Sequence, residues 1–257
     1  MGLNLIVCIK SVILKPPEGE IIRSEDLLQL NPYDRPAVEA ALRLREIHGG
    51  AVTTLSMGPE AANAALEETL AMGADRGILL SDPAFKGSDT LATSTILSAG
   101  IRKLAPFDLV LFGTRSADSD TGQVGPQTAV ALGIPIITGV HSMELTGADL
   151  QVERRMDGFM EKYSVSFPAA LSVSLRSFEP VDIGLAAIEA AFEKKALETW
   201  TLKDLDLSPD MTGDAGSPTR VISMTKVKKG RTCELLQGAP AEQADQLVVR
   251  LKESGML

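Results

Sequence analysis

Leu109-Val-Leu-Phe-Gly-Thr-Arg-Ser-Ala-Asp-Ser-Asp-Thr-Gly-Gln-Val-Gly-Pro126 is the stretch whose reading decides the fold. Its first five residues form a short β-rich apolar run, and the rest is a polar loop with glycines that leads into a helix start. Working outward, three more such runs lie at Leu3–Ile9, 52–57 and 77–81. Between them stand helical patterns at 34–48, 59–72 and 89–104. In the first of these, Val38, Ala41, Leu42 and Arg45 share one side, Glu39 precedes Arg43 by four residues, and Gly49-Gly50 ends the pattern. Pro59 near N1 and Asp89 as an N-cap open the other two. Strands alternating with helices predict an α/β fold: a Rossmann-like, open, mainly parallel sheet with helices on both faces.

Beyond residue 134 the alternation weakens. An apolar run at 134–140 precedes two alternating segments, 150–154 and 163–167, which read as an antiparallel hairpin with Asp157-Gly158 at its turn. A buried strand is expected at 169–175, then an amphipathic helix over 184–195 with Ile188, Ala191 and Phe192 on its apolar side. Residues 204–218 are rich in Asp, Gly, Pro and Ser and cannot form a core of their own. The chain is therefore divided into a nucleotide-binding α/β domain, 1–200, and a C-terminal arm, 201–257, ending in a helix at 240–254. Ala244, Leu247, Val248 and Leu251 share one face of that helix. This face is expected to pack on the arm's own domain or on another subunit.

Composition excludes several function classes. A net charge of −9 argues against a phosphate backbone as the main partner, because nucleic-acid binding needs clustered Lys and Arg. No run approaches the roughly 18 apolar residues of a spanning helix. Residues 1–10 lack a signal peptide's cleavage region, so a cytoplasmic location is expected. Cys8 and Cys233 suggest neither a disulfide framework nor a zinc site, and His48 and His141 stand without a nucleophile. With no catalytic side chain and no metal site in view, the chain reads as one that holds a cofactor and lets it supply the chemistry.

In an open α/β sheet, ligands bind beyond the carboxyl ends of the strands, which puts the loop after Gly113 at the candidate site. Asp120 and Gln123 have the spacing of a capping box, while Gly122 and Gly125 leave the first-turn amides open to an anion. Arg115 is available for a charge-assisted hydrogen bond; Asp118 and Asp120 would repel a phosphate and are assigned to backbone capping or ribose contacts. The ordinary reading is a capped helix start, since neither a Walker A nor a G-x-G-x-x-G pattern is present. Cys8-Ile9-Lys10, Asn31-Pro-Tyr-Asp34 and Ser56-Met57-Gly58-Pro59 would converge on the same edge of the sheet.

Together, Val7-Cys-Ile-Lys10, Asn31-Pro-Tyr-Asp34, Ala71-Met-Gly-Ala-Asp-Arg76, the loop from Asp118 to Pro126, and Val152-Glu-Arg154 with Asp157-Gly158 resemble electron-transfer flavoprotein beta subunits over nearly the whole chain. The resemblance implies an adenine-nucleotide pocket lined by these loops and an alpha subunit that holds the electron-passing flavin. The run Gly87-Ser-Asp-Thr90-Leu-Ala-Thr93-Ser94 and the segment Thr121-Gly122-Gln123-Val124-Gly125-Pro126 look like the flavin-bifurcating branch. There FAD fills the AMP position, takes electrons from NADH and splits them between a dehydrogenase flavin and a low-potential acceptor such as ferredoxin or flavodoxin. AMP in a simple one-flavin carrier is the alternative. Leu185 is the best match to the family's docking leucine for acyl-CoA dehydrogenase, although Val181-Asp182 replace the usual Arg-Tyr, and Glu189 and Glu193 join Lys194 and Lys195. Two readings of other classes are an adenylating pyrophosphatase and a regulatory nucleotide sensor. The first would need a Gly-rich loop where residues 10–17 read Lys-Ser-Val-Ile-Leu-Lys-Pro-Pro.

Overall fold

A computed structural model describes residues 2–14, 28–194, 196–223 and 233–257. Its centre is a nine-stranded sheet in which β1 (Leu3–Ile9) lies between β4 (Gly50–Met57) and β6 (Leu109–Gly113). From β4 the sheet continues through β5 (Arg76–Leu80) to β11 (Leu197–Trp200) at one edge. From β6 it runs through β10 (Ala169–Val173), β7 (Ile136–Thr146) and β8 (Asp149–Met156) to β9 (Phe159–Ser166) at the other. The seven strands from β11 to β7 pair in parallel, and the β7-β8 and β8-β9 pairings are antiparallel. Two short strands, β2 (Ser11–Val12) and β3 (Gln29–Leu30), pair beside the end of β1.

Residue alternation along β1 sorts the core into two layers. Leu3, Leu5, Val7 and Ile9 pack against α1 (Arg35–His48) and α2 (Asn63–Met72), with Val38 and Leu66 among the buried partners. Ile6 and Cys8 face α3 (Thr90–Lys103) and α4 (Val124–Leu132), where Ile96, Leu97 and Ala129 meet them. Burying both faces is what permits the nearly continuous apolar runs of β1 and β6. The α/β architecture with helices on both faces thus matches the expectation from sequence.

Several local details differ from it. The segment at 59–72 opens with a 3-10 turn, Glu60–Ala62, so the α-helix begins at Asn63. The apolar run at 134–140 is the start of an eleven-residue strand that continues into the hairpin system. That hairpin turns on Asp157 (φ 51°) and Gly158 (φ 82°), the two positive φ values that a two-residue primed turn requires. Strand β11 is an addition to the expected set; it lies so close to β5 that a Cβ on Gly77 would come within 2.5 Å of Leu197 Cδ2. The expected helix at 184–195 is α5 (Leu185–Lys194), packed on α2. Lys195 and the side chain of Phe192 fall outside the described residues.

The chain separates into two compact units, Met1–Arg220 and Val221–Leu257. Within the first, a short helix α6 (Gly213–Gly216) follows 3-10 turns at Lys203–Leu205 and Pro209–Met211. In the second, α7 (Pro240–Glu253) has Pro at its start, and the Glu242 carboxylate accepts from the Ala239 N–H at 3.0 Å. Among the described residues no helix is long and apolar enough to cross a membrane.

Candidate functional site

The chain runs from β1 outward through β4 and β5 and then returns to place β6 on β1's other side. The strand order therefore reverses between β1 and β6, and the carboxyl ends of these two strands flank a crevice of the kind that receives ligands in open α/β sheets. Three segments close on it. Lys10 follows β1, Asn31 to Asp34 lead into α1, and Thr114 onward leaves β6.

Asp34 ties the first two together. It flanks α1 without capping it through its side chain; instead its carboxylate turns back to accept from the Lys10 N–H at 2.8 Å. The group is 5% exposed. Burial pushes its pKa up to about 7, against hydrogen bonds from the Lys10 and Gly113 backbone and the Asn31 side chain and the attraction of the Lys10 charge. Gly113 has to be glycine, because a Cβ there would lie 2.2 Å from Asp34 Oδ1 and 2.6 Å from Tyr33 O. Asn31, also buried, spans to the third segment: Nδ2 donates to Arg115 O at 2.9 Å, and Oδ1 accepts from Ala117 N at 3.2 Å.

Two cations at the mouth, Lys10 and Arg115, each have a carboxylate of the β6-α4 loop. Lys10 Nζ meets Asp118 at 2.7 Å. Arg115 lies 3.2 Å from Asp120 and stacks over the Tyr33 ring at 4.9 Å. This corrects the expected capping box at Asp120 and Gln123. Asp120 sits in the left-handed region (φ 55°), whereas an N-cap residue is extended, and α4 begins only at Val124 with no side-chain cap. Gln123 precedes the helix and accepts through Oε1 from Thr90 Oγ1 at 3.1 Å, joining the starts of α3 and α4. Ser94 Oγ adds bonds to Val124 O and Gln127 Oε1, each 3.2 Å. Gly125 lets α4 approach the sheet, where a Cβ would meet the Phe112 ring at 3.2 Å.

The remaining sequence-predicted residues sort by depth. Cys8 and Ile9 are core residues on opposite faces of the sheet; burial, then the Asp34 charge, pushes the Cys8 thiol up, so it stays protonated and inert. Met57 packs partly buried on the α3 side, and Gly58 closes β4 by donating to Leu80 O at 3.1 Å. Ser56 is fully buried, and its hydroxyl has no hydrogen-bond partner among the described residues. Thr93 is half-buried in the first turn of α3, while Thr121 and Gly122 are exposed and Val124 and Pro126 partly covered. Sequence reasoning missed a cleft of about 620 Å³ lined by Tyr33, Thr114, Arg115, Ser174, Leu175 and Arg176. Ser174, Leu175 and Arg176 reach it because β10 inserts between β6 and β7, a pairing that no local pattern encodes.

Residues 19–205 match the model of the electron transfer flavoprotein domain. The electron transfer flavoprotein subunit beta of Clostridium acetobutylicum is 40% identical over 258 residues, covering 98% of both chains. The chain belongs to the electron transfer flavoprotein beta-subunit family. Family relatives include subunit CarD of the caffeyl-CoA reductase-Etf complex of Acetobacterium woodii, 37% identical over 99% of this chain and 100% of its own length. Another is the electron transfer subunit gamma of an acryloyl-CoA reductase from Anaerotignum propionicum, 36% identical over the same shares. In this electron transfer flavoprotein subunit, Lys10, Asn31, Asp34 and the loop to Pro126, on which the sequence resemblance rests, gather at the β1/β6 crevice.

Proposed function

We propose that this chain is the beta half of a heterodimeric electron carrier that holds FAD at the β1/β6 crevice, receives electrons from NADH and passes them through an alpha-subunit flavin. The observation that carries the reading is the hydrogen bond between Thr90 and Gln123, which brings the first turns of two helices together beside the strand-order reversal. The α4 start, which has no side-chain cap, is the anion site; the α3 start is closed by the Asp89 carboxylate and would meet the rest of a dinucleotide through side chains. The residues present fit the group. Helix α4 starts with no side-chain cap, the Ser56 hydroxyl is buried without a partner among the described residues, and Thr93 offers a hydroxyl in the first turn of α3, where the Thr90 proton is already given to Gln123.

FAD, when bound, supplies the hydride and single-electron chemistry. Lys10 and Arg115 orient its anionic part. Asn31 and Asp34 hold the strand ends in register, and the apolar layer around Cys8 and Phe112 keeps the floor of the crevice dry. The alpha subunit is the partner; residues 201–220 of the expected arm pack on this chain's own domain, and the rest of the arm, from residue 221, packs on the alpha subunit. Leu185, 82% exposed at the start of α5, is the contact for an acyl-CoA dehydrogenase or a related flavin dehydrogenase. Bifurcation in the cytoplasm, with ferredoxin or flavodoxin as the second acceptor, completes the reading; two relatives named as subunits of caffeyl-CoA and acryloyl-CoA reductases support a CoA-ester reductase as the other acceptor.

Flavin counting on the co-purified heterodimer is the test. Two flavins per heterodimer, both bleached in steps by NADH, is the expected result. One flavin with one equivalent of AMP overturns the FAD assignment in favour of a simple carrier, and a colourless homodimer that binds ATP points to a nucleotide sensor.

A further inference from the structure

Helix α3 owes its N-terminus to two sources. Asp89 Oδ1 accepts from the Leu91 and Ala92 N–H groups at 2.9 and 3.0 Å, the ordinary N-cap arrangement. Its other oxygen, Oδ2, accepts from Thr219 N at 3.1 Å and from Thr219 Oγ1 at 2.8 Å, across 130 residues of sequence. One carboxylate thus joins the start of a helix to the last residues of the first compact unit, which ends at Arg220.

The segment that reaches Asp89 is fitted closely. Gly213 N donates to Ser88 Oγ at 3.0 Å; the Thr212 hydroxyl lies 3.2 Å from Ala84 O and 3.1 Å from Pro209 O, and the Ser217 hydroxyl 3.2 Å from Gly87 O and 2.6 Å from Gly213 O. The Asp89 N–H donates in turn to Ser217 Oγ at 2.8 Å. Thr212 and Ser217 are buried. A Cβ on Gly213 would stand 2.3 Å from Ala84 O, and one on Gly87 2.1 Å from Asp214 Oδ1. So close a fit means that displacing the segment breaks these hydrogen bonds together. Burial works to raise the Asp89 pKa, but the bonds from Ala92, Thr219 and Leu91 together hold it below the ordinary range, so the latch is a charged acceptor.

From Asp89 the network continues through Thr90 to Gln123 and through Ser94 to the start of α4. We infer that Asp89 is a positioning residue that couples seating of the strap, residues 212–219, to nucleotide binding at the α3 and α4 starts. The inference rests on the proposed nucleotide site and adds a control to it. A strap seated on Asp89 holds Thr90 and Gln123 in place for the ligand. A ligand holding them favours the seated strap by the same factor, because binding coupling is reciprocal.

The experiment uses the alpha-beta complex, with FAD and AMP as ligands. Amide hydrogen exchange over residues 212–223 is read with and without nucleotide, alongside the FAD dissociation constant from flavin fluorescence. The variants are Asp89→Asn, which keeps an oxygen for the α3 cap but presents an NH2 to Thr219, and Thr219→Val, which leaves the cap untouched. Thr219→Ser keeps the hydroxyl. Losing bonds to a charged acceptor is expected to speed strap exchange about tenfold to a hundredfold, since such bonds are worth about 1.5–3 kcal/mol. FAD affinity is expected to weaken in Asp89→Asn and Thr219→Val and to return in Thr219→Ser, while FAD slows strap exchange in the wild type. Faster strap exchange with unchanged FAD affinity overturns the coupling, as does FAD binding that leaves strap exchange unaltered. A wild-type complex that takes up neither FAD nor AMP instead sinks the nucleotide reading itself, and this inference with it.

Discussion

Replacing Asp34 with asparagine probes the brace at the centre of the site. The carboxyl is enclosed between β1, α1 and β6, and burial raises its pKa from 3.8 to about 7 despite the bonds from Lys10, Asn31 and Gly113. A raised folded-state pKa means that the native protein keeps a proton which the unfolded chain has already released. The stability this proton supplies is complete below the unfolded value of 3.8 and falls as pH rises, until the native group ionises near 7. Between pH 5 and pH 8 this linkage removes ~2–3 kcal/mol from the wild type, each pKa unit of difference being worth about 1.4 kcal/mol. Asp34→Asn has no such proton, yet keeps an oxygen for the Lys10 N–H. Urea unfolding of both proteins, followed through Trp200, the single tryptophan, gives the free energies across that pH range. The variant is expected to gain on the wild type by ~2–3 kcal/mol from pH 5 to pH 8. A difference between the two that stays flat to within ~0.5 kcal/mol, about the scatter of independent measurements, refutes a buried carboxyl with a raised pKa.

Two further outcomes follow from the geometry. Gly113→Ala puts a methyl group against Asp34 Oδ1 and Tyr33 O, so the turn into α1 has to shift; a loss of ~1–3 kcal/mol in urea unfolding is expected, with weaker nucleotide uptake by the complex. Leu185→Ala removes a side chain that is 82% exposed; the unfolding midpoint is expected to hold to within ~0.5 kcal/mol, while kcat/KM for reduction by the partner dehydrogenase drops by about tenfold.

What the sequence made legible follows how local each signal is. Strands Leu3–Ile9 and Leu109–Gly113 were readable to the residue because both faces of the sheet are covered and the runs are unbroken. Strand Leu197–Trp200 was not, since an edge strand with Glu198 and Thr199 exposed carries no comparable run. At Asp120 and Gln123 the capping-box spacing is present, but other partners take both side chains. Arg115 holds the Asp120 carboxylate, and Thr90, 33 residues away, holds Gln123. The site motifs were visible as strings, but their division of labour was not. That Asn31 and Asp34 brace the crevice from within depends on Arg115, Ala117 and Lys10, which only the folded sheet brings near.

The charge arrangement at the crevice constrains how an anionic nucleotide is held. The chain carries a formal charge of −9, and Lys10 and Arg115 already face Asp118 and Asp120, which leaves Arg176 as the cleft's cation without an ion pair among the described residues. On the proposed reading, long-range attraction is weak and a diphosphate would gain its affinity from short-range donors: the amides at the uncapped start of α4, the Thr93 hydroxyl and Arg176. Short-range donors work only when aligned to a fraction of an ångström, which steering by net charge does not require. That is why the bond from Thr90 to Gln123, and the Asp89 carboxylate behind it, bear on affinity more than their modest individual energies suggest. A site that relied on a basic patch would tolerate a loosened strap. One that relies on two helix starts held in register does not.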